Sequence, residues 1–386
     1  MIAYVVAVPL VVVAALGVAG TLLNDVPYVG LATAFVPWFV VWLIVAAAVG
    51  AVLAGYRWWR GRGRFAATLT VTAVLALVGA SFITTRMTTA VQAAGADIDL
   101  VDMFGIGPAE SAPPDAEATY ATFEGEPLQV SVYRPAGSTQ ASRAPVLVYI
   151  HGGGWVAGDR HSRSTDLRWL ADQGWLTISV GYPLSSNDRH LADVTQSQLG
   201  CALAWVAANA HRYGGDPARL SLAGHSAGGN LAVNTAYLAA AGTLPSSCGG
   251  RIPAVHAVSV MYPALDPAGM YHNPDPVLGS FARDMVGAYT GGSPEQFPER
   301  YQRISSAGHI TAAAPPTLII VPAADHLVPV AGTYRFAEQA AAAGVDVDVV
   351  TVPYADHVFD ARPGSLGRQA FRQLTARWLR DHGQGP

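Results

Sequence analysis

The sequence predicts an α/β protein, a mostly parallel sheet with helices on both faces, preceded by three transmembrane helices. Three long, predominantly apolar runs without a charge crowd into residues 1–86, short β-branched runs alternate with longer helical ones from Tyr120 onward, and a glycine-framed serine sits where a strand gives way to a helix. Composition already separates the two parts. Of 386 residues, 51% are apolar and 13% charged, against about 25% charged in an average soluble protein. The deficit is local: residues 1–90 hold one acid, Asp25, and five Arg, which leaves 18 Arg and 26 acids for the rest. A net charge of −4 offers no basic footprint for a nucleic-acid backbone and argues against such a partner. Two cysteines are too few for a disulfide scaffold or a four-Cys zinc site.

Ile2–Leu23, Val26–Tyr56 and Phe65–Thr85 are runs of 22, 31 and 21 residues without a charge. Each reaches the roughly 20 residues that a helix needs to cross the hydrocarbon layer. They predict a membrane domain over 1–86 with helices at about 2–23, 31–55 and 65–85. Tyr28, Tyr56, Trp58 and Trp59 flank the second run as interfacial anchors. A cleaved signal peptide would need a basic residue ahead of the first run and a small-residue cleavage site, and neither stands out. The stretch Arg57–Arg64 packs four Arg into eight residues, so the positive-inside rule puts this loop in the cytoplasm. The N-terminus is then cytoplasmic, and everything after about residue 90 lies outside, on a multi-pass protein of the cell membrane. Cys201 and Cys248 could pair there or remain two buried thiols. Residues 87–117, with six acids and several Gly and Pro, read as an acidic flexible tether to a domain spanning 118–386.

Within that domain Leu128–Tyr133 alternates like an early strand, and Pro145–Ile150 is a continuous apolar run suited to a strand buried on both faces. A helix over Thr165–Gln173 precedes a strand at Leu176–Val180. A long amphipathic stretch, Asp193–His211, leads through the turn cluster Gly214–Pro217 to a strand at Leu220–Ala223. A helix over Ala227–Ala241 follows. Further strands are expected at Val255–Met261, Thr317–Val321 and Val347–Val352, with helices over Val330–Ala343 and Leu366–Asp381. In such a sheet the chemistry belongs at the carboxyl ends of the strands.

Gly224-His225-Ser226-Ala227-Gly228 is a GxSxG pattern entered by a strand and left by a helix. A serine on that bend is pushed out of the sheet, with its hydroxyl at a helix N-terminus. The second pattern is His151-Gly152-Gly153-Gly154-Trp155, directly after the strand ending at Ile150. Consecutive glycines let backbone N–H groups approach an oxyanion unobstructed, so Gly152 and Gly153, with Ala227, are the expected oxyanion donors. His151 precedes the serine and reads as a loop-shaping residue. The base must follow it, and His256, His272, His309, His326, His357 and His382 are the candidates. His357 lies just past the strand ending near Val352, where a loop opens at the carboxyl edge of the sheet. The orienting acid is expected at Asp325, which emerges at the same edge; Asp266 and Asp356 are its rivals, and Asp356, adjacent to His357, reads as a turn former.

These segments, together with Gly229-Asn230 and Ala324-Asp325-His326-Leu327-Val328-Pro329, resemble the hormone-sensitive-lipase-type α/β-hydrolases, and within them the bacterial carboxylesterase and feruloyl-esterase-like branch. The similarity runs from about Tyr120 to His382. It implies an α/β-hydrolase fold with a small lid insertion, here about 266–314, a triad of Ser226, Asp325 and His357, and oxyanion donation from Gly152, Gly153 and Ala227. His225 stands where many members have Asp, and Gly181–Ser185 replaces the common Tyr-Arg-Leu-Ala-Pro. The expected protein is a membrane-anchored serine carboxylesterase or lipase acting on a small-molecule or lipid ester, with no metal and no organic cofactor. A serine peptidase, an acyltransferase and a non-catalytic binding module are the alternatives.

Overall fold

The structure, a computed structural model, describes residues 2–105 and 111–386, so 106–110 of the expected tether lie outside it. Packing divides the chain into two compact units. One comprises Met1–Ala109 with the short segments Pro322–His326 and Thr351–Ala370; the other comprises the remainder.

In the first unit three helices, α1 (Ile2–Leu22), α2 (Val36–Gly61) and α3 (Arg64–Ala93), are long and apolar enough to cross a membrane. Small residues line their seams: Ala7, Ala14, Ala47, Ala54, Ala73 and Ala76 are buried. A Cβ at Gly50 would crowd Val11, and one at Gly79 would overlap Val18, so the backbones approach closely, as small residues allow in hydrocarbon. α2 starts later than expected because a short 3-10 turn, Gly30–Ala34, precedes Pro37 in its first turn. α3 overruns its expected end. Met87–Ala93 contains neither Gly nor Pro nor acid, continues the helix and buries Met87 and Val91. Ile98 and Met103 are buried as well. The described part of the expected flexible tether is therefore helix and packed backbone on this side, and strand from Ala116 on the other.

The second unit is built on an eight-stranded sheet: β1 (Ala116–Phe123), β2 (Glu126–Tyr133), β3 (Ala144–Ile150), β4 (Leu176–Val180), β5 (Gly215–His225), β6 (Ala257–Met261), β7 (Thr317–Pro322) and β8 (Val347–Val352), of which only the last residues of β7 and β8 fall in the first unit. The order is β1-β2-β4-β3-β5-β6-β7-β8. β1–β2 and β2–β4 pair antiparallel, whereas β3–β4, β3–β5, β5–β6 and β6–β7 pair parallel. The helices are α4 (Ser164–Asp172), α5 (Thr195–Asn209), α6 (Ala227–Ala240), α7 (Pro267–Tyr271), α8 (Gly279–Thr290), α9 (Pro298–Ile304), α10 (Val330–Ala342) and α11 (Leu366–Asp381). β3, β4 and β6 are buried along nearly their whole length, which is why they read as continuous apolar runs. β5 is longer than the sequence suggests: Gly215 and Asp216 already pair with Ala144 and Pro145 before a register shift, so the expected turn cluster is the bulged start of a strand.

Cys201, in α5, and Cys248, beyond α6, form a disulfide with Cα atoms 5.4 Å apart. The insertion folds as α7–α9. Met270, Met285, Tyr289 and Tyr301 are buried in the main core, while Phe281 stays exposed.

Candidate active site

Ser226 occupies the single position between β5 and α6, at φ 53° and ψ −123°. That conformation is strained for any residue with a side chain and persists only when its surroundings fix it. Here the Ser226 amide donates to the Met261 carbonyl at 3.1 Å, and its own carbonyl accepts from the amides of Asn230 and Ala264 at 3.1 and 3.2 Å. The flanking glycines are obligatory for a separate reason. A Cβ at Gly228 would overlap the carbonyl oxygens of Ile150 and His151, and one at Gly224 would overlap the Gly228 carbonyl. The pentapeptide is thus pressed against the end of β3.

The glycine loop after β3 runs over the same bend. A Cβ on Gly152 would stand 2.8 Å from the His225 carbonyl oxygen and 3.3 Å from Ser226 Cβ. Gly153 and Gly154 adopt φ of +117° and +61°, open to glycine at no cost. None of the amides of Gly152, Gly153 and Ala227 has a hydrogen-bond acceptor among the described residues. Ala227 opens α6, so its N–H also sits at the positive end of the helix dipole. His151 has the structural place expected of it. Its ring stacks on Tyr182 at 4.3 Å, with Nδ1 2.8 Å from the Gly152 carbonyl, and Tyr182 donates its hydroxyl to the His151 carbonyl. Burial pulls its pKa down to about 4, which keeps it neutral. His225, at the position before the serine, packs against Phe371 with centroids 4.2 Å apart and lies within 3.2 Å of the Tyr149 hydroxyl.

Asp325 and His357 belong to the first unit. Asp325 follows β7 and His357 follows β8, and the amide N–H groups of Ala323 and Ala324 donate to the carbonyls of Val352 and Ala355, which ties the two loops together. His357 Nδ1 lies 2.7 Å from Asp325 Oδ2, with both side chains buried. Burial alone would push the imidazole pKa down. The Asp325 carboxylate outweighs it by charge and hydrogen bond, with Asp356 and Asp360 adding to the pull, and the net shift is upward from 6.5. Ser226 lies in the second unit.

Asp356 is more than the turn former that the sequence suggests. It is buried, and its Oδ1 accepts the amides of His326 at 2.9 Å and His357 at 2.7 Å. Its Oδ2 accepts the Thr33 hydroxyl at 2.9 Å and stands 2.5 Å from His326 Nδ1. The sequence does contain the signal: both loops carry an Asp-His dipeptide, Asp325-His326 and Asp356-His357, and the pairs cross, each histidine taking the other loop's carboxylate. The other rival acid, Asp266, caps α7 through the Gly269 amide and pairs with Arg335. His272, His309 and His382 serve local contacts with Glu295, the Arg303 carbonyl and Asp346. Among the described residues no group of three or more His, Cys, Asp or Glu could hold a metal ion.

Residues 130–339 match the BD-FAE family model, more than half of the chain. The chain belongs to the BD-FAE family. Its curated relatives include esterase LipC of Mycobacterium tuberculosis, 29% identical over 58% of this chain and 55% of that protein. Another is the ethyl acetate hydrolase of Pseudomonas putida, 28% identical over 66% of this chain and 78% of that protein. For LipC and two other mycobacterial relatives, LipM and LipQ, the matched part is only 54–56% of their length. Apo Thermogutta terrifontis esterase 2 superposes with a TM-score of 0.59 at 24% identity, over 73% of this chain and 99% of that one. That likeness establishes the α/β-hydrolase fold for this BD-FAE chain.

Gly228→Ala tests the packing of the bend. The added methyl has two carbonyl oxygens in its way, so the variant should lose at least several degrees of thermal stability. An unchanged melting temperature would contradict the crowding at this position.

Proposed function

We propose that the protein is a membrane-anchored serine carboxylesterase, acting on a small-molecule or lipid ester. The observation that carries this reading is the strained Ser226, faced by a glycine loop in which the amides of Gly152 and Gly153 have no acceptor among the described residues. The relatives named as esterases and carboxylic ester hydrolases support the same reading. Ser226 Oγ attacks the ester carbonyl carbon while His357 Nε2 takes the hydroxyl proton. The amides of Gly152, Gly153 and Ala227 receive the oxyanion, each such donor being worth about 2.7–4 kcal/mol of barrier in a comparable site. The tetrahedral intermediate collapses, the C–O bond to the alcohol breaks, and His357 returns the proton to the leaving alkoxide. Water, deprotonated by His357, then attacks the acyl-serine, and the acid departs as the serine regains its proton. Asp325 orients the imidazole and stabilises its charged form.

The anchor would be α1–α3. Arg57 and Arg60 in the last turns of α2, Arg62 in the connection and Arg64 at the start of α3 support a cytoplasmic placement for that end of the helix pair and an extracytoplasmic one for the chain beyond α3. The Cys201–Cys248 disulfide is independent support, since such bonds persist in oxidising compartments.

A panel of p-nitrophenyl esters of increasing acyl length, given to the full chain in detergent, should be turned over, and Ser226→Ala should reduce kcat on the order of 10⁶-fold. Peptide turnover without ester turnover would instead indicate a peptidase, and no turnover with no fluorophosphonate labelling would indicate a binding module. The pH profile follows from the sign of the His357 shift. The base must be neutral to act, so kcat/KM should be full at alkaline pH and fall on acidification through a midpoint above 6.5. Asp325→Asn should move that midpoint down, because burial then acts without the opposing carboxylate, and lower kcat by about 10⁴-fold. A midpoint unchanged by Asp325→Asn would show that another group sets the acid limb. For topology, alkaline phosphatase fused shortly after Ala94 should be active, whereas an inactive fusion would reverse the orientation.

A further inference from the structure

The loop bearing His357 is clamped by the N-terminal helices themselves. Thr33, fully buried in the 3-10 turn between α1 and α2, places its hydroxyl 2.9 Å from Asp356 Oδ2 and 2.7 Å from the Gly30 carbonyl. A hydroxyl has one proton to give, and of these two acceptors the charged one is the stronger. Asp356 in turn holds the His357 amide. A few residues further on, Trp38 of α2 donates its indole N–H to the Val358 carbonyl at 3.0 Å. Val358 directly follows His357 and sits at φ +54°, a genuine outlier for a β-branched residue. Such a conformation persists only where neighbours over-determine it. Here they do: the Phe39 ring lies under the Arg362 guanidinium, Arg362 donates to the Met103 carbonyl, and Phe82 of α3 meets the Tyr354 ring. On the other loop, His326 Nε2 is 3.2 Å from the Asn24 carbonyl at the end of α1.

We propose that Thr33 and Trp38 are positioning residues for His357, so that the apolar N-terminal helices are part of the catalytic apparatus as well as an anchor. The inference rests on the reading of Ser226 as nucleophile and His357 as base. Neither Thr33 nor Trp38 touches a reacting atom. Thr33 acts through the Asp356 carboxylate on the His357 backbone, and Trp38 acts on the strained peptide next to it. Misplacing a catalytic group by an ångström can cost on the order of 100-fold in rate.

The test uses the full chain in detergent micelles and the ester that it turns over fastest. Thr33→Val keeps the shape and removes the hydroxyl, Thr33→Ser keeps the hydroxyl, and Trp38→Phe keeps a ring and removes the N–H. The expected result is a fall in kcat of about tenfold for Thr33→Val and for Trp38→Phe, KM within about twofold, and recovery of most of the rate in Thr33→Ser. If Thr33→Val fails to fold, Trp38→Phe carries the test through an independent contact. Unchanged kcat in both variants, or an equal loss in Thr33→Val and Thr33→Ser, would overturn the positioning role. Ser226→Ala in the same micelles separates the two readings: if it keeps turnover, the esterase reading fails and the inference falls with it. If it is inactive while Thr33→Val and Trp38→Phe are normal, the inference alone fails.

Discussion

A serine held at φ 53° is the constraint from which the rest of the second unit follows. The bend needs room on both sides, which only hydrogen atoms at positions 224 and 228 leave, because carbonyl oxygens stand where a Cβ would go. It needs backbone partners, which come from Met261, Asn230 and Ala264. It also needs a neighbouring loop without side chains, and Gly152 meets that condition by lying against Ser226 Cβ. Each requirement is steric or a matter of hydrogen bonding, and together they explain why two glycine patterns far apart in sequence form one feature in space.

In the first unit the governing constraint is electrostatic. Asp325 and Asp356 are both buried, and a buried carboxylate is stable only with donors around it. Cross-pairing of the two Asp-His dipeptides provides those donors from the loops themselves, and the backbone amides of His326 and His357 complete the shell of Asp356 Oδ1. One carboxylate oxygen thereby fastens both loops, and the other fastens His326 and the α1–α2 connection. A charge so placed also favours the imidazolium of His357, so the structural and the chemical roles of Asp356 have one origin.

Much of this was legible in the sequence, and the parts that were not have separate physical reasons. The strands of the parallel sheet announce themselves because burial on both faces demands unbroken apolar runs such as Pro145–Ile150. β1 does not, because its burial alternates from partly buried to exposed and only Tyr120 is fully buried. Asp325 and His357 could be picked out because each follows a recognisable strand, whereas the role of Asp356 depends on Thr33, 323 residues earlier, and no local pattern encodes that distance. The overrun of α3 into the expected tether is different. There the charge count pointed to a solvated linker, but the acids begin only at Asp97, and Met87–Ala93 has the composition of a helix.

The seams of the N-terminal helices bear on what that part of the chain is for. A membrane anchor needs only length and apolarity, and Leu or Val at every seam would suffice for it. Here Val11, Leu43 and Leu69 share the seams with Ala7, Ala14, Ala47, Ala54, Ala73 and Ala76, and Gly50 and Gly79 are set where a Cβ would strike Val11 and Val18. Small residues let helix backbones approach closely. A tether has no need of that. Thr33 and Trp38 do need a bearing element that is itself held in place, since a hydrogen bond transmits position only as well as the element that bears its donor. A run of apolar letters thus encodes a candidate span through its hydrophobicity and a geometry through the size of its side chains.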